Sequence, residues 1–140
     1  MEKSPRIHRN ECRVLYGDTD SGGVVYYGNY LRFFESGRTE LLRAHGTSYR
    51  ELEEQGYILP VVECHTRYKA SARYDDLLVV ETSVVEVKKM SCRFNHRISR
   101  AADGQFLVKG YTLHACINRA GKLTPFPAYF LEKLKEISAD

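Results

Sequence analysis

The sequence has no long apolar run. Its longest ones, residues 58–62 and 77–80, fall far short of the ~20 residues that a membrane-spanning helix needs. Residues 1–6 also lack the apolar segment of a secretory signal. With 140 residues, 43% of them hydrophobic and 28% charged, we expect a single globular domain over residues 1–140, located in the cytoplasm and not inserted in a membrane.

The chain also lacks a strong excess of charge of one sign. Its 21 Lys and Arg residues against 18 Asp and Glu residues leave +3 with neutral histidines, and the two signs alternate, as over residues 132–136. A protein that binds duplex nucleic acid concentrates its positive charge on one element. We therefore expect no nucleic-acid partner, although the mild basicity would help to attract a small anionic ligand.

Cysteine and histidine do not form any recognisable site in the sequence. The cysteines are far apart, with no CxxC pair and no histidine at zinc spacing: Cys12, Cys64, Cys92 and Cys116. We expect reduced thiols, mostly buried, and no metal site. Three histidines fall on alternating strand patterns, which predicts packed or edge-facing strand residues rather than ligands: His65, His96 and His114. No histidine lies at recognisable spacing from a serine or cysteine nucleophile, so a Ser/His or Cys/His hydrolase is not supported.

The hydrophobic periodicity predicts strands segregated from helices. One strand is expected over residues 6–15, a long helix over 27–44, and a short helix over 48–55 that begins with the capping-box pair Ser48 and Glu51. Further along, the pattern predicts four strands and a C-terminal helix, over residues 58–71, 77–89, 92–100, 106–118 and 127–136. This order favours an α+β fold with an antiparallel sheet curved around the long helix.

Asp18 and Asp20 stand in a glycine-rich loop immediately before the long helix. They could simply cap turns, as aspartates in loops often do. A calcium loop is a poor alternative, because Gly22 stands where an oxygen ligand should sit and Asn29 where the bidentate Glu should be. A catalytic role is the third alternative, because a helix N-terminus presents free N–H groups and partial positive charge that suit a developing oxyanion. The residue types alone leave the structural and catalytic alternatives open.

A resemblance to a known family favours the catalytic alternative. Residues 15–31, LYGDTDSGGVVYYGNYL, match every specified position of the pattern Y-x-D-T/C-D-x-x-G-x-V-Y-x-x-N-Y, which marks the 4-hydroxybenzoyl-CoA thioesterase-like hotdog family. The similarity returns at residues 72–76, ARYDD, which resemble that family's turn before the third strand. The resemblance covers most of the chain, and the loop is its most specific part.

The resemblance implies a hotdog fold, in which a five-stranded antiparallel sheet wraps around the long helix. It also implies a homodimer or homotetramer with active sites at a subunit interface, no metal or redox cofactor, and hydrolysis of acyl-CoA substrates. Residue by residue, it assigns the catalytic carboxylate to Asp20 and a loop-holding role to Asp18. It assigns to Tyr27 the backbone N–H that polarises the thioester carbonyl.

The resemblance leaves the acyl group open. Tyr27 occupies a position where many short-chain members carry His and aromatic-acyl members carry Tyr, and Gly28 stands where Pro or Ala is usual. The alternatives are therefore an aliphatic acyl-CoA, an aromatic one of the hydroxybenzoyl or dihydroxynaphthoyl type, and a non-catalytic module that binds acyl-CoA. Four basic residues loosely match family positions that contact the CoA phosphates: Lys88, Lys89, Arg119 and Lys122.

Overall fold

Five antiparallel strands and three α-helices form the fold of residues 6–138, the part of the chain that the computed structural model describes. The strands are β1 His8–Arg13, β2 Val61–Tyr68, β3 Leu77–Val85, β4 Ser91–Arg100 and β5 Phe106–Ala115; the helices are α1 Tyr30–Ala44, α2 Tyr49–Glu54 and α3 Ala128–Ile137. The predicted α+β class and hotdog fold are confirmed. The ends of the predicted domain, residues 1–5 and 139–140, lie outside the described residues. No helix within residues 6–138 is long and apolar enough to cross a membrane.

The strands form one sheet in the order β1-β3-β4-β5-β2. Strands β3, β4 and β5 are joined by hairpins, whereas β2 does not pair with its successor in sequence. It pairs with β5 instead and forms one edge of the sheet, with seven of its eight residues exposed. Helix α1 packs against the inner face, where its contacts with the sheet are mainly to β1 and β3.

The predicted elements are present, but some of their ends differ. Strand β3 was expected to reach Lys89 and ends at Val85, because Glu86 has φ of 49°, in the left-handed region that ends a strand. Lys88 and Lys89 therefore lie in the turn between β3 and β4. The long helix begins as a 3₁₀ turn over Tyr27–Asn29 and becomes α-helical at Tyr30.

A strip of polar side chains divides the core under α1 into two apolar clusters. On β3, Thr82 lies between Val80 and Val84, which belong to different clusters. On β4, His96 occupies the same position between two apolar neighbours. Gly37 of α1 lies directly over this strip, since a Cβ atom there would come within 2.2 Å of the Thr82 hydroxyl. The helix thus meets the sheet most closely over its polar strip.

The histidines of the strip form a hydrogen-bonded chain with Thr112. His114 Nδ1 lies 3.1 Å from the Leu59 carbonyl, which can only accept, so Nδ1 carries the proton. His114 Nε2 then accepts from the Thr112 hydroxyl at 2.9 Å, and that oxygen accepts from His96 Nε2 at 3.2 Å. Both histidines are buried, as predicted for packed strand residues. Burial lowers the pKa of His114 to about 4, and burial also lowers the pKa of His96 well below its ordinary value.

The hydrogen-bonded histidines predict that the fold loses stability in acid. The pKa of His114 falls from 6.5 in the unfolded chain to about 4 in the fold, so between these values the unfolded state binds more protons. Protonation should therefore lower the free energy of unfolding as pH falls through this window, by about 3 kcal/mol for this side chain. Urea unfolding across the window should show a shallower pH dependence for His114→Gln. The exposed His65→Gln control should keep the wild-type dependence, and identical slopes in all three proteins would contradict the prediction.

Candidate active site

Asp18 fastens the loop to the beginning of the long helix. Its carboxylate is buried, and both oxygens are occupied: Oδ2 accepts the Leu15 N–H at 2.8 Å, and Oδ1 accepts from the Arg32 guanidinium at 2.6 Å. Its carbonyl oxygen accepts the Tyr26 N–H at 2.9 Å and the Asn29 side-chain amide at 2.8 Å. Asp18 therefore holds the loop in place, and its buried, ion-paired carboxylate is closed to a substrate.

Asp20 is in the opposite environment, two residues further on. It is exposed, and its Oδ1 accepts the Gly22 N–H at 2.8 Å. Two backbone hydrogen bonds close the loop around it. The Asp20 N–H donates to the Val24 carbonyl at 2.9 Å, and the Asp20 carbonyl accepts the Gly23 N–H at 3.0 Å. A Cβ atom on residue 22 would lie 3.2 Å from Oδ1, so glycine allows this close approach. Oδ2 accepts no hydrogen bond from any group within residues 6–138. One carboxylate oxygen is thus fixed and the other is free.

The helix that follows begins with unused N–H groups. The first hydrogen bond of the 3₁₀ turn runs from the Asn29 N–H to the Tyr26 carbonyl at 2.8 Å. The N–H groups of Tyr27 and Gly28 therefore have no acceptor within the turn. Such groups carry the partial positive charge of a helix N-terminus. They can donate hydrogen bonds to an oxygen that gains negative charge.

Asp20 and Tyr27 line the same cavity, which has a volume of about 300 Å³. Its other walls come from the loop, from α1, from the end of β2 and from the segment that follows it: Val24, Val25, Tyr30, Tyr68, Lys69, Ala70 and Ser71. The structure thus brings the two residues that the resemblance assigned to chemistry together at an opening in the surface. A carboxylate beside the N–H groups of a helix end is suited to attack a carbonyl carbon, or to activate a water molecule that attacks it.

Tyr68 is a site residue that the sequence did not reveal. Its hydroxyl donates to the Tyr27 carbonyl at 3.1 Å and so fixes the peptide plane that also carries the Gly28 N–H. Its ring packs edge-on against Tyr27 and Tyr30, with centroids 6.2 and 5.6 Å apart. The sequence shows only one more tyrosine on a strand pattern. A contact across 41 residues leaves no local signal.

The four predicted CoA-contacting residues lie at the other end of the sheet. Lys88 and Lys89 occupy the β3–β4 turn, and Arg119 and Lys122 occupy the turn after β5. Backbone bonds from Cys116 to Met90 and from Phe126 to Lys89 hold these two turns together.

Strand β2 joins this end of the sheet to the cavity end over 8 residues, a length of roughly 23 Å. One chain therefore does not bring the four residues to its own Asp20. Arg119 is also engaged elsewhere, because it donates to the Glu54 carbonyl at 3.1 Å. No group of three or more His, Cys, Asp or Glu side chains within residues 6–138 is placed to hold a metal ion.

The fold and the loop geometry define a hotdog protein with a carboxylate beside the helix start. The family model of the thioesterase-like superfamily matches residues 14–134, and the chain belongs to this superfamily. The acyl-CoA thioesterase YbgC of Haemophilus influenzae is 44% identical over 114 residues, which cover 81% of this chain and 82% of that protein.

Two solved structures show the same relationship. The DHNA-CoA thioesterase of Staphylococcus aureus has a TM-score of 0.89 and 27% identity, covering 94% of this chain and 90% of that one. A 4-hydroxybenzoyl-CoA thioesterase mutant, solved with 4-hydroxybenzoyl-CoA, has a TM-score of 0.82 and 25% identity, covering 92% and 99%. The family predicted from the loop motif is confirmed.

Proposed function

We propose that this protein hydrolyses an acyl-CoA thioester to the free carboxylic acid and CoA. The observation that carries the proposal is that Asp20, whose Oδ2 is free, and Tyr27, at the start of the helix, line one cavity. The names of the relatives, which are acyl-CoA thioesterases, support the same reaction. The reaction needs a group that attacks or activates water and a group that stabilises the oxyanion, and the cavity offers one of each.

Two chemical routes use the same residues. In the first, Asp20 attacks the thioester carbonyl carbon, the C–S bond breaks, and water hydrolyses the resulting acyl-aspartyl anhydride. In the second, Asp20 removes a proton from a water molecule that attacks the carbonyl directly, and the C–S bond then breaks to release the CoA thiolate, which takes up that proton. In both routes the carbonyl oxygen becomes negative and accepts from the Tyr27 N–H at the helix N-terminus. A donor of this kind typically lowers the barrier by ~3–4 kcal/mol.

An aromatic acyl group is favoured by the composition of the cavity. Tyr27, Tyr30 and Tyr68 all line it, and the exposed Tyr26 ring packs 4.6 Å from that of Tyr27. Aromatic rings stack well on such surfaces. Release of CoA thiol across a panel of aliphatic and aromatic acyl-CoAs separates these substrates. A non-catalytic binding module would release no thiol from any of them.

Asp20→Asn tests the assignment of the carboxylate. Asparagine keeps the shape and can still accept the Gly22 N–H, but it cannot act as nucleophile or base. We expect kcat to fall at least ~100-fold, with little change in KM. The control is Glu53→Gln, an exposed carboxylate on α2, which should retain full activity. Turnover near the wild-type rate in Asp20→Asn would refute the role.

Tyr68→Phe tests the alignment of the helix start. The variant keeps the ring and loses one neutral hydrogen bond to the Tyr27 carbonyl, which is worth about 1 kcal/mol. We expect kcat to fall severalfold while KM and the melting temperature stay close to wild type. Tyr129→Phe is the matched control, because it also removes one exposed hydroxyl bond, of 2.8 Å to Gln55. Equal kcat in the two variants would show that the Tyr68 hydroxyl does not align the helix start.

We infer that the active unit is a homodimer formed through the β2 edge, alone or within a homotetramer. This edge has unpaired backbone groups and exposes Val61 and Val62. Antiparallel pairing of two β2 strands about a twofold axis would place each chain's Val61 end beside the other's Tyr68 end. The basic turns of one chain, with Lys88, Lys89 and Lys122, would then approach the cavity of its partner and bind the CoA phosphates. The cytoplasmic location stays a prediction from the sequence.

Subunit mixing tests this arrangement. One chain carries Asp20→Asn, and the other carries Lys88→Gln, Lys89→Gln and Lys122→Gln. In a mixed dimer the second chain's Asp20 would face the first chain's intact lysines, so one site is complete. After unfolding and refolding an equal mixture, about a quarter of the wild-type sites should be active at low acyl-CoA concentration. If aspartate and lysines of one site came from the same chain, the mixture would show only the average of the two variants.

A further inference from the structure

A row of like charges crosses the outer face of the sheet, the face turned away from α1. Lys109 on β5 lies directly opposite Arg67 on β2 and also directly opposite Arg97 on β4. Directly opposite Arg97 on its other side is Glu81 of β3, but that carboxylate is 3.0 Å from the Arg9 guanidinium. The basic row, Arg67-Lys109-Arg97, is therefore a set of three adjacent cations.

The fold does not neutralise this row. Cross-strand neighbours have their Cβ atoms about 5 Å apart, and like charges at that separation destabilise a sheet. Within residues 6–138, none of the three side chains has a carboxylate oxygen within 4.0 Å. Arg97 is further held by its guanidinium, which lies 4.1 Å from the centre of the Phe106 ring. The sheet thus maintains a repulsion that a neutral residue at position 109 would relieve.

A groove with a volume of about 510 Å³ runs along the basic row. Polar side chains beside the row complete it, among them His65, Tyr111, Asn95 and Ser83. The His65 and Tyr111 rings are stacked with centroids 5.5 Å apart, and the Arg93 guanidinium covers Tyr111 at 4.4 Å. These contacts give the groove a fixed wall. It shares no lining residue with the Asp20 cavity.

We propose that this groove binds a small anion that carries two adjacent phosphate groups. Neighbouring strands are about 4.8 Å apart, so the basic row extends over about 10 Å. A single phosphate can contact two of the three cations, whereas a diphosphate reaches all of them. Guanidinium groups hold phosphate oxygens through paired, charge-assisted hydrogen bonds. The anion would remove the repulsion within the row.

The carboxylates around the groove favour a small ligand over a long polyanion. Glu63 accepts from the Tyr111 hydroxyl at 2.6 Å, and Glu81 borders the row on the opposite side. Glu86 lies 3.6 Å from the Arg93 guanidinium, beyond the far end of the groove. A nucleic-acid strand that continued past the row would meet these negative charges. The surface is complementary to a compact anion only.

Titration calorimetry with inorganic pyrophosphate at low ionic strength tests the proposal. Pyrophosphate should bind wild-type protein, and bind it more tightly than orthophosphate does. Lys109→Gln should weaken pyrophosphate binding at least tenfold. The same variant should have a higher melting temperature without the anion, because the row loses its central charge, and should keep wild-type thioester hydrolysis. Lys133→Gln on α3 is the matched control and should bind like wild type.

Three results would overturn the proposal. The first is pyrophosphate binding that Lys109→Gln leaves unchanged. The second is pyrophosphate that competes with acyl-CoA and loses affinity in the Lys88→Gln, Lys89→Gln double variant, since it would then occupy the substrate site. The third is a change in oligomer mass on Lys109→Gln with no pyrophosphate binding by wild type, which would make the outer face an interface between copies of the chain.

Discussion

The ion pair between the buried Asp18 carboxylate and the half-exposed Arg32 guanidinium is the constraint on which the site depends. It lies between the loop and the second residue after the start of α1, so the position of the loop is fixed by the helix itself. With the Asp18 carbonyl also holding Tyr26 and Asn29, loop and helix end form one rigid unit. Asp20 differs from Asp18 only in its place on that unit. An aspartate side chain anchors the loop at position 18, where it is buried, and is available to a substrate at position 20, where it borders a cavity.

The position of the helix is set in turn by the polar strip below it. Gly37 permits contact with Thr82, and the hydrogen bonds from His96 through Thr112 to His114 and Leu59 run in one direction, because the last acceptor is a carbonyl. These bonds hold β4, β5 and Leu59 together, and α1 is placed on them by Gly37, where an added Cβ atom would meet the Thr82 and Val80 side chains. We interpret the strip as a device that fixes the register of α1, and hence the place of the free N–H groups at its end.

The sequence predicted what depends on neighbouring residues. The alternation over β4 gave the buried face correctly, and the resemblance of the loop motif pointed to Asp20 and Tyr27, which line one cavity in the structure. It did not predict that β2 would pair with β5, that Tyr68 would bond Tyr27, or that Lys88 would lie far from Asp20. These facts depend on strand order, which arises from long-range pairing and leaves no periodic trace. The charged row on the outer face was hidden for the same reason, since its members belong to three different strands.

The dimensions of the cavity support the inferred dimer. A pocket of about 300 Å³ is at the lower end of the range that encloses a drug-sized ligand, and an acyl-CoA is larger than that. The nucleotide end of the substrate must therefore leave the cavity and cross other surface. Beside the cavity runs the β2 edge, where Val62 and Tyr68 are about half exposed. A strand edge with unpaired backbone and apolar side chains invites a second strand. Pairing there would extend the sheet, cover these side chains and bring basic turns to the mouth of the cavity, so one interaction would complete both the fold's edge and the site.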